Sequence, residues 1–108
     1  MQTHPAKRIE ILIEAPLARR LTDALDAGGA PGYTILPVLG GNGQSGRWSR
    51  EGQVSRAGGL VCVTVVLDAA LADQVLDRAF AVVEPHIGIV SMTDCEVVRP
   101  ARFGGADG

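Results

Sequence analysis

The stretch LVCVTVVL at residues 60–67 constrains this chain more than any other, because seven of its eight residues are apolar. A strand with one wet face alternates apolar and polar side chains, whereas a strand covered on both faces reads as one continuous apolar run. The stretch therefore predicts a strand buried on both sides. Val61, Val63, Val65 and Leu67 would form one face, with Cys62 and Val66 on the other. Whatever fold the chain adopts must supply two layers of cover.

The neighbouring segments supply one. Residues 8–14, RIEILIE, alternate with Ile9, Ile11 and Ile13 on one face and Glu10, Leu12 and Glu14 on the other, which predicts a strand with one dry and one mixed face. Residues 1–7 read as a polar lead-in. After Ala15-Pro16, Leu17, Leu21, Ala24 and Leu25 recur at helical spacing, with Arg19, Arg20, Asp23 and Asp26 turned outward, and Gly28-Gly29 ends the helix. A second strand is predicted over residues 33–39. Pro37 confines it to an edge or a bulge, because proline has no N–H for a ladder on both sides. Asp68 can cap a second helix whose inner face is Leu71, Val75, Leu76, Ala79, Val82 and Val83, and Pro85 ends it. A last extended region covers residues 87–99, divided into two pieces around Thr93-Asp94.

Between the second and third strands lies GGNGQSGRWSREGQVSRAGG, residues 40–59. It holds seven of the fourteen glycines, three arginines against one glutamate, and the only tryptophan. It lacks apolar periodicity, which predicts a long loop without regular structure of its own, and loops of that length are usually functional or disordered. Glycine frees main-chain N–H groups to meet a ligand, and arginine adds forked donors for phosphate or carboxylate. The loop thus reads as an anion-responsive element; a plain surface insertion is the competing reading.

The order of elements is β-α-β-loop-β-α-β, an α+β fold of the ferredoxin-like βαββαβ type with the first and third strands central. The expected organisation is a single domain over residues 1–108, with a loose tail over 103–108. Two helices cover only one face of the sheet. The other would leave an apolar patch that soluble monomers avoid, and a second copy of the same sheet is the simplest cover. The pattern therefore predicts a cyclic oligomer.

The remaining residues narrow the function. The net charge of −2 gives no general attraction to nucleic acid or acidic lipid. No apolar run reaches membrane-spanning length, and the first residues lack the apolar core of a signal peptide, so a cytoplasmic location is expected. Cys62 and Cys95 have neither CxxC nor metal-ligand spacing and read as reduced, packed thiols; no metal site is expected. Ser45, Ser49 and Ser55 have no triad pattern around them, and no catalytic residues are expected. The GGNG run does not open a helix inside a βαβ unit, which argues against a dinucleotide fingerprint.

Four segments in this order and spacing resemble the PII and PII-like signal-transduction proteins: KRIEILIE, GYTILPVLGG, VCVTVVLD, and IGIV followed by CEVVR. The resemblance runs from about Lys7 to Arg102. It implies a non-enzymatic cytoplasmic homotrimer that binds adenine nucleotides between subunits and signals through residues 40–59, the T-loop. Carried over residue by residue, it implies that Gly32, Tyr33 and Thr34 meet the adenine and that Val65 touches the base. Gly40, Gly41, Gly43, Gln44, Ser45, Gly46 and Arg47 would meet the phosphates at the base of the T-loop. Gly88 would begin a loop wrapping the phosphates from the neighbouring subunit, and Arg99 and Arg102 would stand for two C-terminal arginines, the second offset by one. The T-loop tyrosine of the family is missing, and the loop after Gly88 lacks the aspartate-glycine-lysine that helps hold a triphosphate. That favours ADP or AMP over ATP. The loop is most similar to the carboxysome-associated, bicarbonate-responsive branch, in which nucleotide and bicarbonate together order the T-loop. The expected bicarbonate contacts are Gly41, Gly43 and Arg47; Trp48, Arg50 and Arg56 would meet a protein partner, a membrane transporter or a carboxysome-related protein. Two alternatives stand beside this reading. One is a PII-like sensor regulating a transporter in nitrogen or other metabolism without bicarbonate. The other, less favoured, is a trimeric divalent-metal tolerance protein of the same fold.

Overall fold

A computed structural model describes residues 1–43, 46–49 and 59–98. Strand β1 (His4–Glu14) leads through a 3-10 turn (Ala15–Leu17) into helix α1 (Ala18–Ala27) and strand β2 (Thr34–Pro37). Strands β3 (Gly40–Gly43) and β4 (Gly46–Ser49) follow, then β5 (Leu60–Leu67), α2 (Ala69–Val83) and β6 (Gly88–Val97). The main sheet has the antiparallel order β2-β5-β1-β6, so the two most apolar strands are central, as the ferredoxin-like reading expects. Pro37 lies at the end of an edge strand, where a missing N–H is tolerated.

Both helices pack on one face. Ile9, Ile11 and Ile13 of β1, Val63, Val65 and Leu67 of β5, Leu21 and Leu25 of α1, and Val75, Ala79 and Val83 of α2 form one buried cluster. Thr22 joins the buried set because its hydroxyl donates to the Arg19 carbonyl at 3.1 Å inside its own helix. The Asp68 side chain accepts from the Ala70 N–H at 2.9 Å and caps α2. Past α1, Gly29 takes φ +92°, a left-handed turn open to glycine at little cost, and the Gln74 side-chain amide donates to the Gly28 carbonyl at 2.7 Å. The second helix is thereby tied to the end of the first.

Among the described residues no helix covers the opposite face. The register stacks Leu36, Cys62, Leu12 and Ile89 in one row across all four strands, and Thr34, Thr64, Glu10 and Ser91 in another. The doubly apolar reading of residues 60–67 thus resolves into a face on which Val63, Val65 and Leu67 are buried and another on which Cys62, Thr64 and Val66 are half-buried. Among the described residues no helix is long and apolar enough to cross a membrane.

Three expectations change. Residues 4–7 are not a lead-in but part of β1, because the far end of β6 pairs with them, Ala6 with Cys95 and Lys7 with Asp94. The last extended region is one strand rather than two, since Thr93 and Asp94 sit in that same ladder and Lys7 forms an ion pair with Asp94. The T-loop is not without regular structure: β3 and β4 form a two-stranded ladder with Gly41 opposite Trp48 and Gly43 opposite Gly46. Main-chain pairing needs no apolar side chain, so periodicity cannot reveal it.

Candidate functional site

The pairing of β2 with β5 stops at the Thr34–Thr64 pair, and beyond it the chain toward Gly32 diverges from β5. An open groove of about 250 Å³ forms there, lined by Gly32, Tyr33, Thr34, Thr64 and Val66. Strand alternation turns Thr34, Thr64 and Val66 toward the helix-free face. A Cβ built on Gly32 would meet nothing within 4 Å, so the space before it is empty. Tyr33, 41% exposed, adds an aromatic wall. The groove offers two hydroxyls that both donate and accept, one apolar floor and one ring, a set suited to a flat heterocycle.

Gly32, Tyr33 and Thr34 therefore fall together, but Val65 does not join them. It is 1% exposed and points into the helix-covered core, because alternation along β5 sends residues 63, 65 and 67 to that side. Its neighbours Thr64 and Val66 are the side chains that meet the groove, so the carried-over position is displaced by one residue. The sequence holds a signal for this: Thr64 is the one polar residue in LVCVTVVL, which marks its face as the one with a polar role.

Gly88 opens β6 at the other edge of the sheet, opposite Ile13. Three strand spacings, about 14 Å, separate it from β2. Glycine is required there for packing as well, since a Cβ would lie 2.7 Å from the Leu12 carbonyl oxygen and 2.9 Å from Val83 Cγ1. Gly40, Gly41 and Gly43 lie in β3, and Gly46, Arg47 and Trp48 have their backbones in β4, with Arg47 opposite Asn42. In a two-stranded ladder every second N–H points away from the partner strand, so this ribbon retains outward donors. Gln44, Ser45, Arg50, Arg56, Arg99 and Arg102 lie outside the described residues, as do the tail 103–108 and residues 51–58 of the T-loop.

The helix-free face carries an ion pair beside the groove: Arg8 Nη2 lies 2.7 Å from Glu10 Oε2. Burial pushes the Cys62 thiol up, the Glu10 charge adds to the shift, and Arg8 opposes it. Cys62 is thus held as a neutral thiol, and both cysteines are free. A larger opening, about 410 Å³, lies toward the β1–β6 side of the sheet between Ala69, Lys7, Asp94 and Glu96. It gathers none of the residues expected to bind, and its charges are already engaged, Lys7 by Asp94 and Glu96 by Thr3. Among the described residues no group of three or more His, Cys, Asp and Glu is placed to hold a metal ion.

A sequence model of the family described as "Nitrogen regulatory protein P-II" matches residues 6–102. Among solved structures, the chain is similar to CPII, a nitrogen regulatory PII-like protein from Thiomonas intermedia K12, bound to ADP, AMP and bicarbonate. That match has a TM-score of 0.82 and 29% identity over 94% of this chain and 96% of the other. The apo form of the same protein matches with a TM-score of 0.69 and 27% identity over 92% of this chain and 98% of that one. A PII-like signalling protein from Thermus thermophilus matches with a TM-score of 0.73 and 25% identity, covering 96% of this chain and all of the other, 100%.

Proposed function

Because this chain belongs to the nitrogen regulatory protein P-II family, we propose that it is a regulatory, non-enzymatic subunit acting as a homotrimer in the cytoplasm, one PII-like domain over residues 1–108. Each cleft between subunits binds ADP or AMP together with bicarbonate, and the T-loop, residues 40–59, reports their presence to a protein partner. The observation that carries this reading is the match along nearly the whole chain to a PII-like protein bound to ADP, AMP and bicarbonate. Geometry supports the shared cleft. The adenine-side residues Gly32 and Thr34 and the phosphate-side Gly88 lie at opposite edges of one sheet, so one subunit cannot bring them to one ligand. A head-to-tail ring places the β2 edge of each copy beside the β6 edge of the next and turns the row Leu36, Cys62, Leu12 and Ile89 toward its centre.

Within the cleft, the base occupies the groove of Thr34, Thr64 and Val66. The phosphates reach Gly40, Gly41, Gly43 and the chain through Arg47, with Gly88, Arg99 and Arg102 closing the site. Bicarbonate lies at Gly41, Gly43 and Arg47, and Trp48, Arg50 and Arg56 face the partner. The output is control of bicarbonate uptake or of carboxysome function. Calorimetric titration with AMP, ADP and ATP, each with and without bicarbonate, tests the reading. Binding of AMP or ADP that tightens with bicarbonate, and no preference for ATP, is expected. Nucleotide binding indifferent to bicarbonate would favour a nitrogen-type or other transporter sensor, and no nucleotide binding would overturn the proposal.

A further inference from the structure

The register brings one acidic side chain beside Thr64, one of the residues that line the groove. Thr64 of β5 is paired with Thr34 on one side and with Glu10 of β1 on the other, so the three side chains stand in one row on the helix-free face. Directly opposed residues on one face have Cβ atoms about 4.5–5.5 Å apart, within reach of a glutamate side chain. Glu10 is half-buried, at 43% side-chain exposure, and Arg8 two residues earlier on the same face holds Oε2 at 2.7 Å. Its other oxygen, Oε1, has no hydrogen bond among the described residues. A carboxylate is a pure acceptor, whereas the groove's own Thr34 and Thr64 hydroxyls can turn either way and cannot tell a donor from an acceptor.

We propose that Glu10, oriented by Arg8, is the specificity-determining residue of the groove and accepts a hydrogen bond from the exocyclic amine of the bound base. This rests on the nucleotide reading above and deepens it. An amine-bearing base meets the carboxylate with a donor. A base with a carbonyl at that position sets oxygen against oxygen, leaving both acceptors in the groove unpaired. Arg8 is a positioning residue, and its ion pair holds the carboxylate in place.

The test compares ADP with inosine diphosphate, in which a carbonyl replaces the adenine amine, by calorimetry on the trimer. The wild-type protein should bind ADP at least tenfold more tightly, the effect expected of one charge-assisted hydrogen bond. Glu10→Met should bring that ratio near one with trimer mass unchanged by light scattering, and so should Glu10→Gln, whose amide can donate to the carbonyl as readily as it accepts from the amine. Should the lone Arg8 charge prevent assembly of Glu10→Met, the double variant Arg8→Met/Glu10→Met removes both charges and takes its place, with the same ratio near one expected. Equal wild-type affinity for the two nucleotides, or a ratio unchanged by the Met variant, would overturn the role of Glu10 while leaving nucleotide binding standing. Binding of neither nucleotide would remove the nucleotide reading and this proposal with it.

Discussion

Replacing Gly88 by alanine is a direct probe of the geometry at the β6 edge. A Cβ there would lie 2.7 Å from the Leu12 carbonyl oxygen and 2.9 Å from Val83 Cγ1, where ordinary contact begins at 3.4 Å. The methyl of Val83 can rotate away. The Leu12 carbonyl cannot, because β1 is held in ladders on both sides, paired with Cys62 and Ile89. The β6 start must therefore retreat by about 0.7 Å, and forced overpacking of this kind costs about 1–3 kcal/mol. For a domain of this size that corresponds to a fall in Tm of about 4–12 °C. Circular dichroism melts at equal protein concentration measure it, since melting of an oligomer depends on concentration. ADP affinity measured on the same samples separates packing from binding. A Gly88→Ala variant with unchanged Tm would refute the close approach, and the glycine would then be explained by the ligand alone.

Further outcomes follow from the same geometry. Val65→Ala should lose about 2 kcal/mol of stability, from two buried carbons and the cavity left behind, with little change in ADP affinity. Val66→Ala should do the reverse, weakening ADP binding by about 1 kcal/mol with a Tm near wild type; calorimetry and melts on the pair decide, and the opposite pattern restores Val65 to the site. Asp68→Ala removes the cap on the Ala70 N–H and should cost about 1 kcal/mol in chemical denaturation. Arg99→Ala should weaken ADP binding by about 1.5–3 kcal/mol in an intact trimer if it meets a phosphate; unchanged affinity would return Arg99 to an ordinary solvated surface.

Much of this architecture is legible in the chain because local rules act locally. Asp68 before an apolar helical face, Gly28-Gly29 after one, and Pro37 in a strand each announce a boundary, and the structure places all three as expected. What is not legible depends on partners distant in sequence. His4–Lys7 look polar and loose until residues 94–97 lie beside them. Gly40–Gly43 have no side-chain pattern, and their ladder is a main-chain event. The displacement from Val65 to Thr64 and Val66 has another cause. A continuous apolar strand conceals which parity faces the helices, and only the pairing of Ile9 with Val65 and Ile11 with Val63 decides it. The separation of Gly32 and Thr34 from Gly88 by the whole width of the sheet likewise becomes visible only with the strand order.

If nucleotide and bicarbonate act together on the T-loop, Trp48, the only tryptophan, reports on it directly. On that reading, fixing the loop against a partner costs backbone entropy of about 1–2 kcal/mol per residue fixed, more for glycine, which neither ligand offsets alone. With nucleotide phosphates fixing the base of the loop, bicarbonate meets a preformed set of donors, so each ligand tightens the other by the same factor. Trp48 fluorescence should therefore change more with ADP or AMP plus bicarbonate than the sum of the separate additions. A response that is additive, or absent, in a trimer that binds nucleotide would contradict the coupling.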